Sequence, residues 1–302
     1  MKGLAEKLNL KVFNLKNVKL SIILVNWNTC DLTKQALASV YKETKGIDFE
    51  VIVVDNNSAD NSVEMIKKEF PQVVLIVNPD NRGFGKANNQ GLKIAQGDYL
   101  MFLNTDVVVL EGALNKLVNY LDQHADTMMV GPRLLNKDLT FQHACRRMLP
   151  NPINSFFYLF GLTKIFKNNK SVNEYKQYAT DPEITGPTQA LSGAAMMFRR
   201  QVYSEIGGFD EVFFMYGEDL DFCKRVLDKG WKTVYVSDAR IIHFGGQSSS
   251  KRRVKSLLNF YDAMWLYYKK HFYKKYNVIF HLIVWLGIKT KLFIALTGNY
   301  LK

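Results

Sequence analysis

The sequence predicts an α/β protein built on a mostly parallel sheet, and three observations support this fold class. Between residues 20 and 131, short runs rich in β-branched residues alternate with segments of helical periodicity. The strand-like runs are continuously apolar, as expected when helices cover both faces of a sheet. The chain has 302 residues, of which 47% are hydrophobic and 13% aromatic, enough to build a large core.

The predicted elements follow each other in strand–helix order. Strands are predicted at residues 20–27, 50–55, 73–77 and 99–103, and helices at 32–41, 63–70, 85–94 and 112–124. Residues 132–190 contain five prolines and are predicted to form long loops and short helices over the sheet edge. Regular structure is expected again as a strand at 191–198, a helix after Arg200, a helix around 219–227 and a strand at 233–236.

The charge divides the chain into three parts. The net charge is +12, yet residues 251–302 hold eleven lysines and arginines against one acid, and residues 1–19 hold five lysines against one acid. The middle of the chain is therefore close to neutral, and a nucleic-acid partner is not expected. We predict a basic N-terminal segment at 1–18, a main α/β domain at 19–250 and a basic, aromatic-rich helical tail at 251–302.

The sequence also predicts the compartment. No signal peptide is apparent, and Cys30, Cys145 and Cys223 lie far apart, so neither a disulfide framework nor a zinc knuckle is expected. A reducing, cytoplasmic compartment suits them. The longest apolar stretch, residues 278–288, is interrupted by Lys289 and is predicted to be too short to cross a bilayer.

The tail has the pattern of an amphipathic helix. Its apolar residues recur at helical spacing from Val254 to Phe272, and four lysines lie near its far end: Lys269, Lys270, Lys274 and Lys275. This pattern predicts peripheral attachment to an anionic membrane surface, at the inner face of the cell membrane. The alternative is a helix that packs on the body or on another subunit of a homo-oligomer.

Polar residues end three of the predicted strands. They are Asn26-Trp27-Asn28, Asp55-Asn56-Asn57-Ser58 and Asn104-Thr105-Asp106. Because ligands of such sheets bind beyond the carboxyl ends of the strands, we expect these side chains to form one site. Turn chemistry would explain any one of the three alone.

Four further features carry chemistry, each beside an ordinary structural explanation. Asp106 could hold a divalent cation or cap a helix, and the Gly83–Gly85 loop could bind an anion or simply open a helix. Glu218, Asp219 and Asp221 could supply a general base or only complement a helix dipole. His243 could be a metal ligand or a structural histidine.

Together these segments resemble an inverting glycosyltransferase of family 2, with the GT-A fold, and most of all its bacterial rhamnosyltransferase-like branch. The resemblance rests on seven blocks in order: VNWN (25–28), VVDNNSADNS (53–62), NRGFGKANNQG (81–91), LNTD (103–106), SGAAMMFRR (192–200), GGFDEVFFMYGEDLDFCKR (207–225) and HFGGQS (243–248). It covers roughly residues 19–250, and it implies that the main domain is the catalytic domain.

The resemblance implies a role for each matching position. Asn26, Asn28 and Asp55 would contact the nucleoside, while Arg82, Gly83 and Asn88 would line the donor diphosphate or sugar. Asn104 and Thr105 would lie against the donor, and Asp106 and His243 would bind Mg²⁺ or Mn²⁺. Asp219 would be the catalytic base, with Glu218, Asp221 and Trp231 on the acceptor side. The first acid of the family's DxD motif is Asn104 here, which contributes an oxygen ligand but no charge.

The function implied is transfer of a sugar from a dTDP- or UDP-sugar to a lipid-linked or glycan acceptor in bacterial surface polysaccharide synthesis. Rhamnose is the preferred sugar, with N-acetylglucosamine, glucose and galactofuranose as alternatives. Two other functions stay open at this point: a sugar-nucleotidyl transferase, and a non-catalytic, membrane-associated scaffold of the same fold. A nucleotidyl transferase should carry a glycine-rich basic loop after the first strand, where this chain has Asn26-Trp27-Asn28.

Overall fold

The computed structural model of the chain describes residues 18–152, 154–155, 181–245 and 253–300. The predicted N-terminal segment therefore lies almost wholly outside the described residues, as do parts of the 132–190 region and residues 246–252.

The first half of the domain alternates strands and helices as predicted for the first four strands, and two further strands, Val107–Val109 and Thr127–Leu135, were not predicted. The strands are β1 (Leu20–Asn26), β2 (Phe49–Asp55), β3 (Val74–Val77), β4 (Tyr99–Leu103), β5 (Val107–Val109) and β6 (Thr127–Leu135). The helices are α1 (Cys30–Glu43), α2 (Ser62–Glu69), α3 (Phe84–Ile94) and α4 (Ala113–Gln123).

The second half is less regular and ends in two long helices. Its strands are β7 (Arg146–Arg147), β8 (Gly186–Pro187), β9 (Ala190–Leu191), β10 (Ala195–Arg199) and β11 (Lys232–His243). Its helices are α5 (Arg200–Ile206), α6 (Glu218–Asp228), α7 (Arg253–His271) and α8 (Val278–Tyr300).

Within the described residues, nine strands form the main sheet, in the order β3-β2-β1-β4-β10-β6-β11-β5 with β8 beside β11. The neighbours β1–β2, β2–β3, β1–β4 and β6–β11 are parallel, whereas β10 is antiparallel to both β4 and β6. The mostly parallel sheet flanked by helices is confirmed, and β10 is the central exception.

Helices cover both faces of the sheet, which explains the continuous apolar strands. In β1, Ile22 and Leu24 pack with α1, α2 and α4, while Ile23 points to the opposite cluster with Phe102 and Phe222. All five side chains are fully buried. Successive residues of one strand thus contribute to two separate cores, because side chains alternate between the faces of a sheet.

Two sequence predictions need correction at the strand level. The predicted strand at 191–198 is two strands, β9 and β10, because residues 192–194 form a turn in which the Ala195 N–H bonds the Ser192 carbonyl. The predicted strand at 233–236 extends to His243, with a register shift between Val236 and Arg240. His243 therefore ends a strand that carries it to the site.

The tail forms a helical hairpin that packs on the body. Tyr261 of α7 packs with Ile288 and Leu292 of α8, and Ala263 and Tyr267 of α7 pack against Phe213 of the catalytic domain. The prediction that the apolar stretch is too short for a membrane was wrong, because α8 continues past Lys289. Within the described residues, one segment, Val278–Thr297, is long and apolar enough to cross a membrane by length and composition.

Candidate active site

The three polar strand ends meet at one edge of the sheet, as predicted. Asn26 Nδ2 donates to Asp55 Oδ2 at 2.6 Å, which joins the ends of β1 and β2. The hydroxyls of Thr29 and Thr105 lie 3.1 Å apart, which joins the ends of β1 and β4. Parallel strands bring these segments together because their carboxyl ends share an edge.

Asn26 organises this edge but has no polar atom left for a ligand. Its Nδ2 also donates to Ser58 Oγ at 3.0 Å, and its Oδ1 accepts from the hydroxyls of Thr29 and Thr33 at 2.8 and 2.6 Å. The residue is fully buried. The predicted contact of Asn26 with a nucleoside is therefore replaced by a structural role, which is to orient Asp55.

Asp55 and Asn28 are held by the Ser58 loop. Asp55 is buried and accepts hydrogen bonds from the Ser58 N–H at 2.9 Å and the Ser58 hydroxyl at 2.6 Å. Asn28 adopts a φ of 54°, and its N–H donates to Ser58 Oγ at 2.9 Å. A carboxylate accepts about four hydrogen bonds and Asp55 receives three, so its predicted nucleoside contact stays a prediction.

The glycine-rich loop is fixed against the loop that precedes α6. Gly83 has a φ of +83°, and a Cβ at this position would lie 2.6 Å from the Phe214 carbonyl oxygen. The Phe84 N–H donates to the same oxygen at 2.9 Å. Arg82 is partly exposed and bonds Asp80 at 3.1 Å, whereas Asn88 is buried and donates to the Phe84 carbonyl. Arg82 thus stays a candidate for donor binding, but Asn88 stabilises the helix.

Asn104, Asp106 and His243 converge at the end of β4. His243 Nε2 lies 3.4 Å from Asp106 Oδ1 and 3.5 Å from Asn104 Nδ2. The Phe244 N–H donates to the Asp106 carbonyl at 2.9 Å, so β11 delivers the histidine to this point. His243 lies more than 130 residues after Asn104 and Asp106 in the sequence, and the pairing of β11 with β5 brings it next to them.

Gln142 fixes the orientation of the His243 ring. The amide nitrogen of Gln142 donates to Asn136 Oδ1 at 3.0 Å and to the His243 carbonyl at 3.3 Å, so its Oε1 faces His243 Nδ1 at 2.7 Å. An amide oxygen only accepts, so Nδ1 carries the proton. In the neutral ring, Nε2 then presents its lone pair toward Asp106, which is the arrangement of a metal-ligating histidine with a supporting partner.

This group fits a divalent cation. Asn104 Oδ1 is buried without a hydrogen-bond partner, and together with Asp106 and His243 Nε2 it offers oxygen and nitrogen donors. No group of three or more His, Cys, Asp or Glu side chains suited to a metal occurs among the residues that the structure describes. The set is therefore incomplete by itself, as expected of Mg²⁺ or Mn²⁺ sites that substrate phosphates complete.

Asp219 lies beside the same turn as Asn104. Its Oδ2 accepts from Gly193 N–H at 3.2 Å and from Arg147 Nη2 at 2.8 Å, while the Asn104 N–H donates to the adjacent Ala194 carbonyl at 2.8 Å. The turn at 192–194 thus joins the candidate base to the candidate cation ligands. Asp219 and Asn104 therefore both contact this turn.

Glu218, next to Asp219, is buried and has one carboxylate oxygen without a partner. Burial, with a further contribution from the negative charge of Asp219, raises the pKa of Glu218 to about 8. Its side chain is therefore protonated at neutral pH and can donate a hydrogen bond. Its predicted place on the acceptor side stays a prediction.

Two predicted acceptor-side residues lie elsewhere. The Asp221 carboxylate is fully buried and binds Arg225, Lys270 and His271, so it faces the tail. Trp231 follows the far end of α6 and precedes β11, which starts opposite Thr127 at the amino-terminal edge of the parallel strands. It packs in the apolar core, and the helix separates it from Asp219.

Sequence reasoning missed Arg147 and Gln142, the partners of Asp219 and His243. Both lie in the irregular region after β6, where no periodicity indicates which side chains face the site. The one available signal was the Arg146-Arg147 pair in a segment expected to cover the sheet edge.

Comparisons with known proteins agree with this geometry. The sequence profile described as glycosyl transferase family 2 matches residues 21–207, and the one described as glycosyl transferase family group 2 matches residues 173–299. The chain is 26% identical over 261 residues to the N-acetylglucosaminyl-diphospho-decaprenol L-rhamnosyltransferase of Mycobacterium tuberculosis, covering 82% of this chain and 83% of that protein. It is 24% identical to the O-antigen chain rhamnosyltransferase RfbN of Salmonella typhimurium, covering 75% and 66%.

Solved structures share the fold. TarS residues 1–349 of S. aureus superpose with a TM-score of 0.54 at 17% identity, covering 91% of this chain and 72% of that one. The mannosyltransferase PcManGT from Pyrobaculum calidifontis, in complex with GDP-Man and Mn²⁺, gives a TM-score of 0.57 at 14% identity, covering 99% and 81%.

Proposed function

The chain belongs to glycosyl transferase family 2 and is a glycosyltransferase; from this premise we propose that it transfers rhamnose from dTDP-rhamnose to a lipid-linked glycan acceptor. Family membership sets aside the sugar-nucleotidyl transferase alternative. The preference for rhamnose is supported by the two rhamnosyltransferase relatives, and the lipid-linked acceptor by the name of the mycobacterial one. The product would be an intermediate of a surface polysaccharide.

One observation carries the proposed mechanism: Asp219 and Asn104, which belongs to the Asn104–Asp106–His243 group, both hydrogen-bond the turn at 192–194. In this mechanism Asp219 takes the proton from an acceptor hydroxyl while that oxygen bonds the anomeric carbon. The bond from this carbon to the phosphate oxygen breaks, and its electron pair leaves with the nucleoside diphosphate. Attack from the face opposite the diphosphate inverts the configuration at the anomeric carbon.

The protein supplies orientation around this displacement. Arg147 and the Gly193 N–H bind Oδ2 of Asp219 and so fix the direction of its carboxylate. We propose that Asp106, His243 and Asn104 hold Mg²⁺ or Mn²⁺, which when bound would offset the negative charge of the departing diphosphate. Gln142 keeps the His243 ring turned so that Nε2 faces this group.

We also propose that the tail attaches the enzyme peripherally to the inner face of the cell membrane, where a lipid-linked acceptor is found. Large apolar side chains of α8 are exposed along its length: Val278, Ile279, Leu282, Ile283, Trp285, Leu286, Phe293 and Ile294. Exposed lysines, among them Lys274 and Lys275, precede this helix. Such a surface is typical of helices that lie in the membrane interface.

A thermal-shift panel followed by a transfer assay tests the proposal. With Mn²⁺ present, dTDP should raise the melting temperature more than UDP or GDP, since a ligand stabilises only the state that binds it. Transfer from dTDP-rhamnose to a synthetic N-acetylglucosaminyl-diphospho-lipid should then be detectable. Stabilisation by UDP or GDP instead of dTDP would overturn the donor, and donor hydrolysis without any transfer would overturn the acceptor. A chain that binds no nucleotide and hydrolyses no donor would be a scaffold.

The cation is tested separately through binding. Asp106→Asn should abolish the additional thermal shift that Mn²⁺ gives in the presence of dTDP, and Asp228→Asn, an exposed acid at the far end of α6, should leave it unchanged. An Mn²⁺ effect that survives Asp106→Asn would place the cation elsewhere.

A further inference from the structure

The end of α7, the first helix of the tail, is bound to the helix that carries the candidate base. The buried carboxylate of Asp221, in the first turn of α6, accepts hydrogen bonds at Oδ1 from Lys270 Nζ at 2.7 Å and His271 Nε2 at 2.8 Å. Its Oδ2 accepts from Arg225 Nε at 2.8 Å. A carboxylate only accepts, so His271 Nε2 carries the proton in this contact.

The same cluster includes the loop that leads into α6. Arg225 donates to the carbonyls of Ile206 and Gly208 at 2.8 and 2.7 Å, and Lys270 also binds Asp210 Oδ2 at 2.5 Å. Burial alone would raise the pKa of Asp221, but the hydrogen bonds from His271, Lys270 and Arg225 lower it to about 2. Three hydrogen-bond donors, two of them the charged groups of Lys270 and Arg225, thus keep a fully buried carboxylate ionised. The tail provides two of these three donors.

Within α6 itself, the first turn is held by Asp219 Oδ1, which accepts a hydrogen bond from the Leu220 N–H at 2.8 Å. Gly217, its N-cap, makes no side-chain cap hydrogen bond, and Tyr216 and Gly217 both have positive φ, at 70° and 81°. Instead α7 supports this turn at a second point, because a Cβ on Gly217 would lie only 3.4 Å from the Ala263 Cβ. Because the N-cap residue offers no side-chain acceptor, contacts from outside the helix add to the hold on this first turn.

Asp219 lies on this first turn, two residues before Asp221. On the other side of the turn, its Oδ2 contacts Arg147 at 2.8 Å and the Gly193 N–H at 3.2 Å. The position of the candidate base therefore depends on contacts from both sides. The tail supplies those on one side, and the turn at 192–194 and β7 supply those on the other.

We propose that Lys270 and His271 are positioning residues for sugar transfer, which bind Asp221 and thereby hold the first turn of α6 with Asp219 in its reactive place. The proposal rests on the proposed function for Asp219. It makes the tail a part of the active-site machinery as well as the candidate membrane anchor. It also corrects the prediction that Lys270 faces lipid, since its ammonium group is turned toward two acids of the catalytic domain.

The experiment compares full-length Lys270→Met and His271→Leu with the conservative variants Lys270→Arg and His271→Gln, which keep an N–H donor. Lys229→Met is the matched control, because Lys229 loses the same charge at the exposed far end of α6. Transfer from dTDP-rhamnose is measured with a short-chain, water-soluble acceptor and no vesicles, so that membrane attachment does not contribute. Hydrogen exchange of residues 217–223, read by mass spectrometry, reports the first turn without any substrate.

We expect kcat to fall at least about tenfold in Lys270→Met and His271→Leu, because a small misplacement of a reacting group costs one to two orders of magnitude. The KM for the donor should stay within about twofold, since donor binding is separate from Asp219. Exchange should accelerate at residues 217–223, and the conservative variants should recover both properties.

Three results would overturn the proposal. The first is a kcat within about twofold of wild type in both disruptive variants. The second is a loss of activity that follows the folded fraction, with no selective exchange at 217–223, because that is a purely structural effect. The third result applies where the wild-type chain transfers no sugar, so that the proposed function fails first. Exchange alone then tests the positioning role. Unchanged exchange at residues 217–223 in the disruptive variants would overturn it, and selective acceleration there would support it.

Discussion

At the scale of single residues, Asp219 differs from its neighbours in what binds it. Arg147 and the Gly193 N–H hold one oxygen of its carboxylate, whereas Glu218 has an oxygen without a partner and Asp221 is enclosed by Arg225, Lys270 and His271. Three acids within four positions of the sequence thus have three environments. Of the three acids, only Asp219 is partly exposed and also hydrogen-bonded to the turn at 192–194.

The first prediction concerns Asp219. Asp219→Asn should lower the transfer rate by at least about 100-fold, because general-base assistance contributes 10²–10⁴-fold and an amide cannot take the proton. Nucleotide binding should persist, as measured by the thermal shift with dTDP and Mn²⁺. Asp228→Asn on the same helix serves as the control and should retain full activity. Near-normal turnover of Asp219→Asn would remove the residue from the mechanism.

The second prediction concerns the pH dependence that Glu218 imposes. Its pKa is about 8 in the folded chain against an ordinary value of 4.5, so the folded state binds a proton that the unfolded state releases. The stability that this proton contributes is present below the unfolded pKa and is lost as the pH rises toward and through about 8. Glu218→Gln removes this titration while keeping the shape.

Melting temperatures measured from pH 5 to pH 9 should therefore fall less steeply for Glu218→Gln than for wild type. Asp138→Asn, which removes an exposed acid, is the control and should follow the wild-type curve. Parallel curves for wild type and Glu218→Gln would contradict the raised pKa.

The sequence predicted part of the site for physical reasons. Asp106 follows a strand of the parallel sheet, and such strand ends meet at a known edge, so its location could be predicted, whereas the role predicted for Asp219 came from the family resemblance. Arg147 and Gln142 reach the site from an irregular segment, and their direction depends on tertiary contacts that carry no periodic signal. Asp221 and Trp231 were placed on the acceptor side by the family resemblance, which does not reveal what packs against each side chain in this fold.

At the scale of elements, the sheet shows which strands sequence patterns describe well. The apolar, β-branched strands β1, β2 and β4 were predicted within one or two residues. The strand β6 was missed because Gly131 and Pro132 lie inside it, and such residues ordinarily indicate loops. Pro132 lies opposite Val236, next to the register shift in β11, where the hydrogen-bonding pattern is already irregular.

The third prediction concerns the contact between the loop that precedes α3 and the loop that precedes α6. Gly83→Ala should destabilise the chain by about 1–3 kcal/mol, because its φ of +83° with a ψ of 171° is a region that only glycine adopts readily. The added Cβ would also meet the Phe214 carbonyl at 2.6 Å and displace the loop that leads to Asp219. Transfer activity should therefore fall together with stability.

Urea denaturation of Gly83→Ala and Gly112→Ala separates the effect of backbone strain from the effect of the contact with Phe214. Gly112 also has a positive φ, at +62°, but a Cβ there meets no atom within 4 Å. Its variant should lose about 1–2 kcal/mol from backbone strain alone and keep its activity. Equal activity in both variants would show that the contact with Phe214 does not influence the site.

At the scale of the whole molecule, α7, the first helix of the tail, contacts the catalytic domain at two points along its length. Near its middle, Ala263 and Tyr267 pack on Phe213, and at its end Lys270 binds Asp210 and Asp221. The helix α8 returns along α7, as shown by the 2.7 Å contact of Tyr268 with His281 and by the packing of Tyr261. A helix that lies beside a folded body in this way cannot cross a bilayer without leaving it. The exposed face of α8 therefore fits a membrane surface better than a membrane span.

The fourth prediction follows from this geometry. The chain should bind vesicles that contain anionic phosphatidylglycerol more tightly than neutral ones, and salt should weaken the binding, because each surface lysine contributes about 1 kcal/mol. Leu282→Asp combined with Leu286→Asp should reduce binding at least about tenfold, since both side chains are exposed on α8 and each leucine contributes about 1.5–3 kcal/mol when buried. Leu139→Asp, at an exposed leucine of the catalytic domain, is the matched control.

Cosedimentation measures the binding, and extraction distinguishes the two membrane geometries. An in-plane helix should be released from vesicles by alkaline carbonate, whereas a spanning helix should stay in the pellet. Equal loss of binding in the α8 and Leu139 variants would show that apolar exposure in general, and not this surface, drives attachment. Retention after carbonate treatment would mean that α8 leaves α7 in the membrane, and the contacts of Tyr268 and Tyr261 with α8 would then belong to the unattached enzyme alone.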